Sequence, residues 1–266
     1  MNDRQVEQQQ RHSVVFGISI DRLTILLFLL SIGILFLDLW LYFAWPRLPH
    51  DIRQLIDITR EGNIPTWFSS LLFLFCALVA FQIRLEDRLH QQSVERSAWL
   101  LIGLFFLFLS MDDASRFHER VGQVVGDILK EQGEATFITS MVSAFPSWNW
   151  QIVVLPFFIL IAVIMVLFLI RSFQSKSLLF LFLAGLGLFT QAIILDYVDG
   201  LEEQRRVYGI IAMEFNLPGR NAIQHLVRAI EEFLEMSGTV LILRSFLGQW
   251  ALLGFGPNNI GREKRS

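Results

Sequence analysis

From Trp150 to Ile170 no residue carries a charge. The same holds from Leu178 to Leu195, from Trp67 to Ile83 and, apart from Asp38, from Leu23 to Trp45. Crossing the hydrocarbon of a bilayer takes about 20 apolar residues in a helix. The fold class that follows is all-α: a polytopic transmembrane helical bundle. Composition agrees, with 53% hydrophobic residues, 25 of them phenylalanine, and only 18% charged residues gathered in clusters. The single cysteine, Cys76, lies in an apolar run, so neither an intrachain disulfide nor a thiolate metal cluster is expected.

Six spans can be drawn. They are Leu23 to Trp45, about Trp67 to Ile83, a third starting near Ser97, Trp150 to Ile170, Leu178 to Leu195, and Ala222 to Trp250. The sixth is the ambiguous one, since it holds Arg228, Glu231, Glu232, Glu235 and Arg244. The expected organisation is a polar N-terminus over residues 1–22, a six-span domain over 23–253 and a basic tail over 254–266. The first 22 residues are polar and charged, so the first span is expected to be uncleaved. Short connections rich in Arg and Lys (Arg84, Arg88, Arg96, Arg171, Lys176) share one side with both termini. By the positive-inside rule that side is expected in the cytoplasm, with the protein in the inner (plasma) membrane. On the opposite side, Phe117, Val121, Val124, Val125 and Ile128 recur at helical spacing, and "VYGIIAMEF" ends before Pro218-Gly219. Both stretches are expected as amphipathic helices lying at the interface.

The third span is the odd one. In "LFFLFLSMDDASRFHERVG" an apolar helix meets Asp112 and Asp113 before it has finished crossing. Reaching the far surface carries it to about Phe117, which leaves the two aspartates roughly 8 Å inside the hydrocarbon. Asp38 comes out roughly 10 Å deep by the same rise. Asp196 closes span five at that face, and Glu231, Glu232 and Glu235 open span six there. A charge at mid-membrane costs about 3 kcal/mol by insertion scales. Acids from four helices are tolerable only if they face one another, water or a cation, so a polar pocket within the bundle is expected. Three stripes support it: His225, Arg228, Glu232 and Glu235; Asp112, Ser115, Arg116 and Glu119; and Asp196, Asp199 and Glu203.

The segments "DDASRFHE" and "IEEFLEMSG", with "NIPTWFSS" before the second span, resemble a pattern found in uncharacterised bacterial polytopic membrane proteins. In that group an acidic-pair helix ending in His-Glu accompanies a late Glu-Glu-x-x-Glu helix. The resemblance covers most of residues 23–250 and implies a shared architecture, with no established activity attached. The chain differs from the intramembrane zinc hydrolases of the alkaline ceramidase and progestin-receptor-like superfamily, which have seven spans and a histidine-dominated site.

Three functions fit such a pocket. The first is a divalent metal site. Carboxylates with one or two imidazoles suit Mn, Fe, Mg or Ca better than structural Zn. Ligand candidates are Asp112, Asp113, His118, Glu119, Glu231 and Glu235; catalytic candidates are His118, Asp113 and Glu232; and Arg228 would hold a phosphate or carboxylate. A metal-bound water would then serve a hydrolase, or the metal an oxidase, acting on a lipid-like substrate drawn from the bilayer. The second is cation or proton transport, for which Asp38 is the key acid. The third is a structural charge network in a non-catalytic assembly or binding subunit with a membrane-protein partner, in which Arg116, Arg120 and Arg228 pair with Asp112, Asp113, Glu232 and Glu235. His225 is expected as a solvated interfacial residue, Asp38 as functional or paired, and Arg244 as snorkelling. No nucleic-acid partner is expected.

Overall fold

Each apolar run but one becomes a single helix in the structure, a computed structural model that describes residues 14–15, 18–45, 49–87, 93–131, 145, 147, 149–216 and 218–253; the run expected from Trp150 to Ile170 is divided at Val154, where Pro156 opens a new helix. The tail over 254–266, most of the N-terminus and Trp148 lie outside the described residues. A two-residue strand pair, β1 (Val14–Val15) and β2 (Ile18–Ser19), precedes the first helix. The helices are α1 (Ile20–Ala44), α2 (His50–Ile56), α3 (Ile64–Asp87), α4 (Ser93–Ser115), α5 (Phe117–Glu131), α6 (Asn149–Val153), α7 (Leu155–Ser172), α8 (Lys176–Asp199), α9 (Glu202–Glu214) and α10 (Arg220–Leu253).

Local chemistry sets the helix starts. Ser19 caps α1 by accepting from the Arg22 N–H at 3.3 Å. Asn63 does the same for α3, accepting from the Thr66 N–H at 3.1 Å, and Pro65 sits in that first turn. Helix α3 is longer at both ends than the Trp67 to Ile83 core of the run. The short α2 had no signature in the sequence, where it read as plain connection.

Among the described residues, α1, α3, α4, α7 and α8 are long and apolar enough to cross a membrane. The chain is therefore a multi-pass membrane protein. Helix α10, at 34 residues, is the sixth long helix, and it is unlike the others. It packs against α1, α3 and α8, and its second half is buried from Met236 to Gln249 almost without interruption. A helix walled in by other helices needs no apolar outer face, which is why its sequence looked ambiguous. The lipid-facing helices instead expose most of their surface: α1 buries only Ile20, Leu27, Ser31, Asp38 and Leu41, a single stripe.

In lipid, helices associate by close packing and interhelical hydrogen bonds. Both devices are present. Ser70 Oγ donates to the Ser110 carbonyl at 2.7 Å, and Ser110 Oγ donates back to the Ser70 carbonyl at 2.9 Å, tying α3 to α4. Gly185 of α8 and Gly238 of α10 let two backbones touch: a Cβ on Gly238 would lie 2.8 Å from the Gly185 carbonyl oxygen, and one on Gly185 2.6 Å from that of Gly238. Phe106, Phe182 and Phe246 fill the core beside them.

The two amphipathic segments are helices α5 and α9. On α5, Phe117, Val124 and Ile128 stay exposed as an apolar stripe; on α9, Val207, Ile210 and Met213 do the same. Their opposite faces pack inward, α5 on α6 and α9 on α10.

Because the Gly185–Gly238 contact is backbone on backbone, nothing flexible can yield there. Gly238→Val is expected to lower stability in detergent by about 1–3 kcal/mol, read as a lower thermal midpoint. Gly187→Ala, whose Cβ meets nothing within 4 Å, is expected to leave the midpoint unchanged.

Candidate functional site

The helix carrying "SMDDASRFHE" does not run straight through. Arg116 adopts φ 56°, a left-handed conformation that ends α4 and starts α5 in a new direction. Asp112 secures the turn. Its Oδ1 accepts the His118 backbone N–H at 2.8 Å and its Oδ2 meets His118 Nδ1 at 2.8 Å. One buried carboxylate therefore caps the new helix and fixes the histidine ring, whose edge rests on Trp150. With Nδ1 engaged, Nε2 is the nitrogen left for chemistry.

That turn forms one wall of a cavity of about 260 Å³. Its lining includes Glu61 from the loop before α3, Asp112, Asp113, His118 and Glu119 from the α4–α5 turn, Asp196 from α8, and Glu231, Glu232 and Glu235 from α10. A polar vestibule of about 570 Å³ adjoins it and shares Glu61, Glu119, Asp196, Glu231 and Glu232, adding Arg116 and Arg228. Every ligand and catalytic candidate drawn from the sequence thus borders one cavity, with Arg228 at its mouth.

The arginines are engaged elsewhere than the sequence led us to expect. Arg228 binds Asp199, with Nε and Nη2 both 2.8 Å from Oδ2, and does not pair with Glu232. Arg116 pairs with Glu61 and approaches Glu119 at 3.8 Å, leaving Asp112 to His118. The turn at Arg116 rotates its side chain off the stripe that a straight helix would give, which is the reason for the correction. Asp196 accepts from Trp150 Nε1 at 3.2 Å and Gln151 Nε2 at 3.0 Å. Among the described residues, Glu231, Glu232 and Glu235 have no ion pair, and Asp113 Oδ2 is buried with no hydrogen-bond partner. Among the described residues, no lysine or arginine lines the inner cavity.

The outer groups register this charge imbalance. Burial, the largest cause, and the neighbouring Glu119 push the Glu61 carboxyl above its usual range against the pull of Arg116. For His118, burial disfavours the imidazolium. The Asp112 hydrogen bond and the charges of Asp112, Glu119 and Glu235 outweigh that, so its pKa is raised.

A second buried cluster lies apart from the cavity. His225 Nε2 is 2.8 Å from Asp38 Oδ2, and Nδ1 is 4.0 Å from Asp57 Oδ1. The His225 ring stacks on Tyr42 with centroids 3.8 Å apart. Asp38 Oδ1 also accepts the Ile58 N–H at 3.3 Å, and Asp57 holds Thr59 and Arg60. The sequence paired Asp38 with nothing definite and read His225 as solvated; the structure buries both and joins them. Asp57 and Glu61 were not singled out. Their one signal was the local capping chemistry of "DITREGNIPT", which suggests an ordered loop and no more.

Asp38, Asp57 and His225 form a group of three among the described residues whose ligand atoms all come within 4.8 Å of one another. Yet the two imidazole nitrogens face different carboxylates from opposite edges of the ring, Arg60 sits 3.1 Å from Asp57, and the gap between them has no volume for a water. A closed ion-pair network fits these facts better than a metal centre. Its loss is costly: Asp38→Ala strands His225, and is expected to destabilise the fold by about 3–5 kcal/mol. Urea unfolding in detergent measures this; a variant as stable as the wild type would contradict the network.

No curated protein matches the chain, and no solved structure does. A family match covers residues 23–250, from the first turn of α1 to the last turn of α10. With most of its length inside that match, the chain belongs to the family described as a domain of unknown function (DUF8692).

Proposed function

We propose that this protein is a divalent-cation-dependent enzyme of the inner membrane that hydrolyses a membrane-borne, lipid-like substrate. One observation carries the reading: eight carboxylates and a histidine border a single cavity whose inner lining holds no Lys or Arg among the described residues. Such a surplus of negative charge in a low-dielectric site calls for protons or a bound cation. Oxygen donors favour Mg, Mn or Ca, and a hydrated ion that keeps several waters suits a ring of acids that do not close tightly on one point.

In this scheme Asp113, Glu119, Glu231, Glu232 and Glu235 hold the cation and its waters. Bound there, the cation supplies a water of lowered pKa and an electrophile for the scissile group. His118, whose Nδ1 is held by Asp112, would offer Nε2 to accept a proton from an attacking water, while Asp112 orients the ring and supports its positive charge. Arg228, at the mouth, contacts an anionic group of the substrate through the donors that Asp199 leaves open. The short, basic connections support an orientation with both termini in the cytoplasm and the cavity toward the outer leaflet.

One other reading has some support. The ion pairs Arg228–Asp199, Arg116–Glu61 and His225–Asp38 tie separate elements together, as an assembly subunit requires. Transport through Asp38 is less favoured, because that acid is closed off by His225 and the core beyond the cavity is filled by Phe182 and Phe246.

Metal analysis of the purified protein decides between the first two. The cation reading expects about one divalent ion per chain, a rise in thermal midpoint on adding Mn, and loss of both in Glu235→Gln and Asp113→Asn, with Asp38→Asn retaining the ion. If protons alone neutralise the acids, the protein is metal-free and Glu235→Gln raises the midpoint by relieving repulsion; that result would end the enzyme reading.

A further inference from the structure

The cavity has two unlike halves. Beyond the acids its wall is hydrocarbon, including Phe105, Phe106, Phe158, Ala162, Leu186 and Phe189. We propose that this inner half holds the single apolar chain of a membrane amphiphile, admitted sideways from the bilayer past α7. The proposal deepens the cation-centred reading and rests on it for the position of the head group.

The dimensions match. On α7 the lining runs from Leu155 to Met165, and on α8 from Leu186 to Asp196. Ten residues of helix span roughly 15 Å, about half of the hydrocarbon thickness, or one leaflet. The chamber therefore accepts a chain lying parallel to the helices, with its polar end among the carboxylates. An empty apolar chamber forfeits dispersion contacts on every wall, and a dry apolar site takes apolar guests in preference to water.

The route is set by α7. It buries only Met165 and Leu169, both in its second half. Its first turns line the chamber with Leu155 and Phe158 on one face and expose Phe157, Leu160 and Ile164 on the other. Between chamber and bilayer stands one helix whose first ten residues, Leu155 to Ile164, contribute no buried packing residue; Met165, at the inner end of the chamber, is the first. A chain can pass its edge without breaking a core.

The head follows from charge. With no Lys or Arg among the described residues of the inner lining, a head bearing phosphate or carboxylate oxygens binds there on the cation, with Arg116 and Arg228 waiting in the vestibule. The ligand class is a single-chain anionic amphiphile.

The test uses the full chain in phosphatidylcholine nanodiscs with Mn. Two photoreactive probes carry a diazirine in mid-chain: a long-chain fatty acid and a long-chain alkyl phosphate. The expected cross-links fall on Phe158, Ala162 and Phe189, with at least one probe, and whichever head labels identifies the anion. Ala162→Trp, and independently Ile193→Trp, fill the chamber and cut that labelling by about tenfold, the factor given by an overpacking clash of ordinary size, while bound metal is retained. Chamber labelling that persists in Glu235→Gln after the ion is lost supports the chain site and counts against the cation's part in holding the head. Labelling as strong on Phe157, Leu160 and Ile164 as on the chamber residues, and unmoved by either tryptophan, overturns the proposal.

Discussion

A charged group left in hydrocarbon costs several kcal/mol, and this chain carries acids within α1, α4, α8 and α10. That cost settles where each helix turns. Asp38, Asp112 and Asp199 are all buried, and Asp196, Glu231, Glu232 and Glu235 border the interior cavity. The lipid-facing surfaces are left to Phe, Leu and Ile. The central position of α10 follows from the same requirement. It is the helix with the most charge, so it is the one the other helices surround.

The protein meets that requirement in two opposite ways, a short distance apart on α10. At His225 the charges are saturated: each nitrogen faces a carboxylate, and each carboxylate has further donors from the α2–α3 loop. Nothing is left over for a ligand, and there is no room for one. Two and three turns further along, at Glu232 and Glu235, the carboxylates face a cavity with no ion pair among the described residues. The fold closes one cluster completely and leaves the other open. The loop over residues 57–63 links the two, because Asp57 belongs to the first and Glu61 to the second. The dyad of Asp112 and His118 joins structure to chemistry in a similar way: a single carboxylate caps a helix, bends the chain and presents a nitrogen.

Much of this was legible in the residues. Long uncharged runs could only be spans, and acids at matching depths could only be turned inward. The 3.6-residue period marked α5 and α9 as amphipathic. Partners were harder to read. Arg116 shares a stripe with Asp112 on any straight helix, yet a single left-handed residue swings it to Glu61. His225 shares a stripe with Glu232, yet a stacked Tyr42 and a loop from beyond α1 take it elsewhere. The α2–α3 connection, without apolar periodicity, hid two of the acids that matter.

The sequence by itself determined the class of fold, the inward-facing residues and the level at which they meet, because those depend on helix rise and on the free energy of charge in hydrocarbon, both fixed per residue. Only the tertiary structure decided which charges neutralise each other, which stay open, and that a phenylalanine-lined chamber adjoins the open ones. Pairing depends on rotation about helix axes, on the turn at Arg116 and on loop placement, and a difference of a few ångströms there separates a closed ion pair from an open carboxylate.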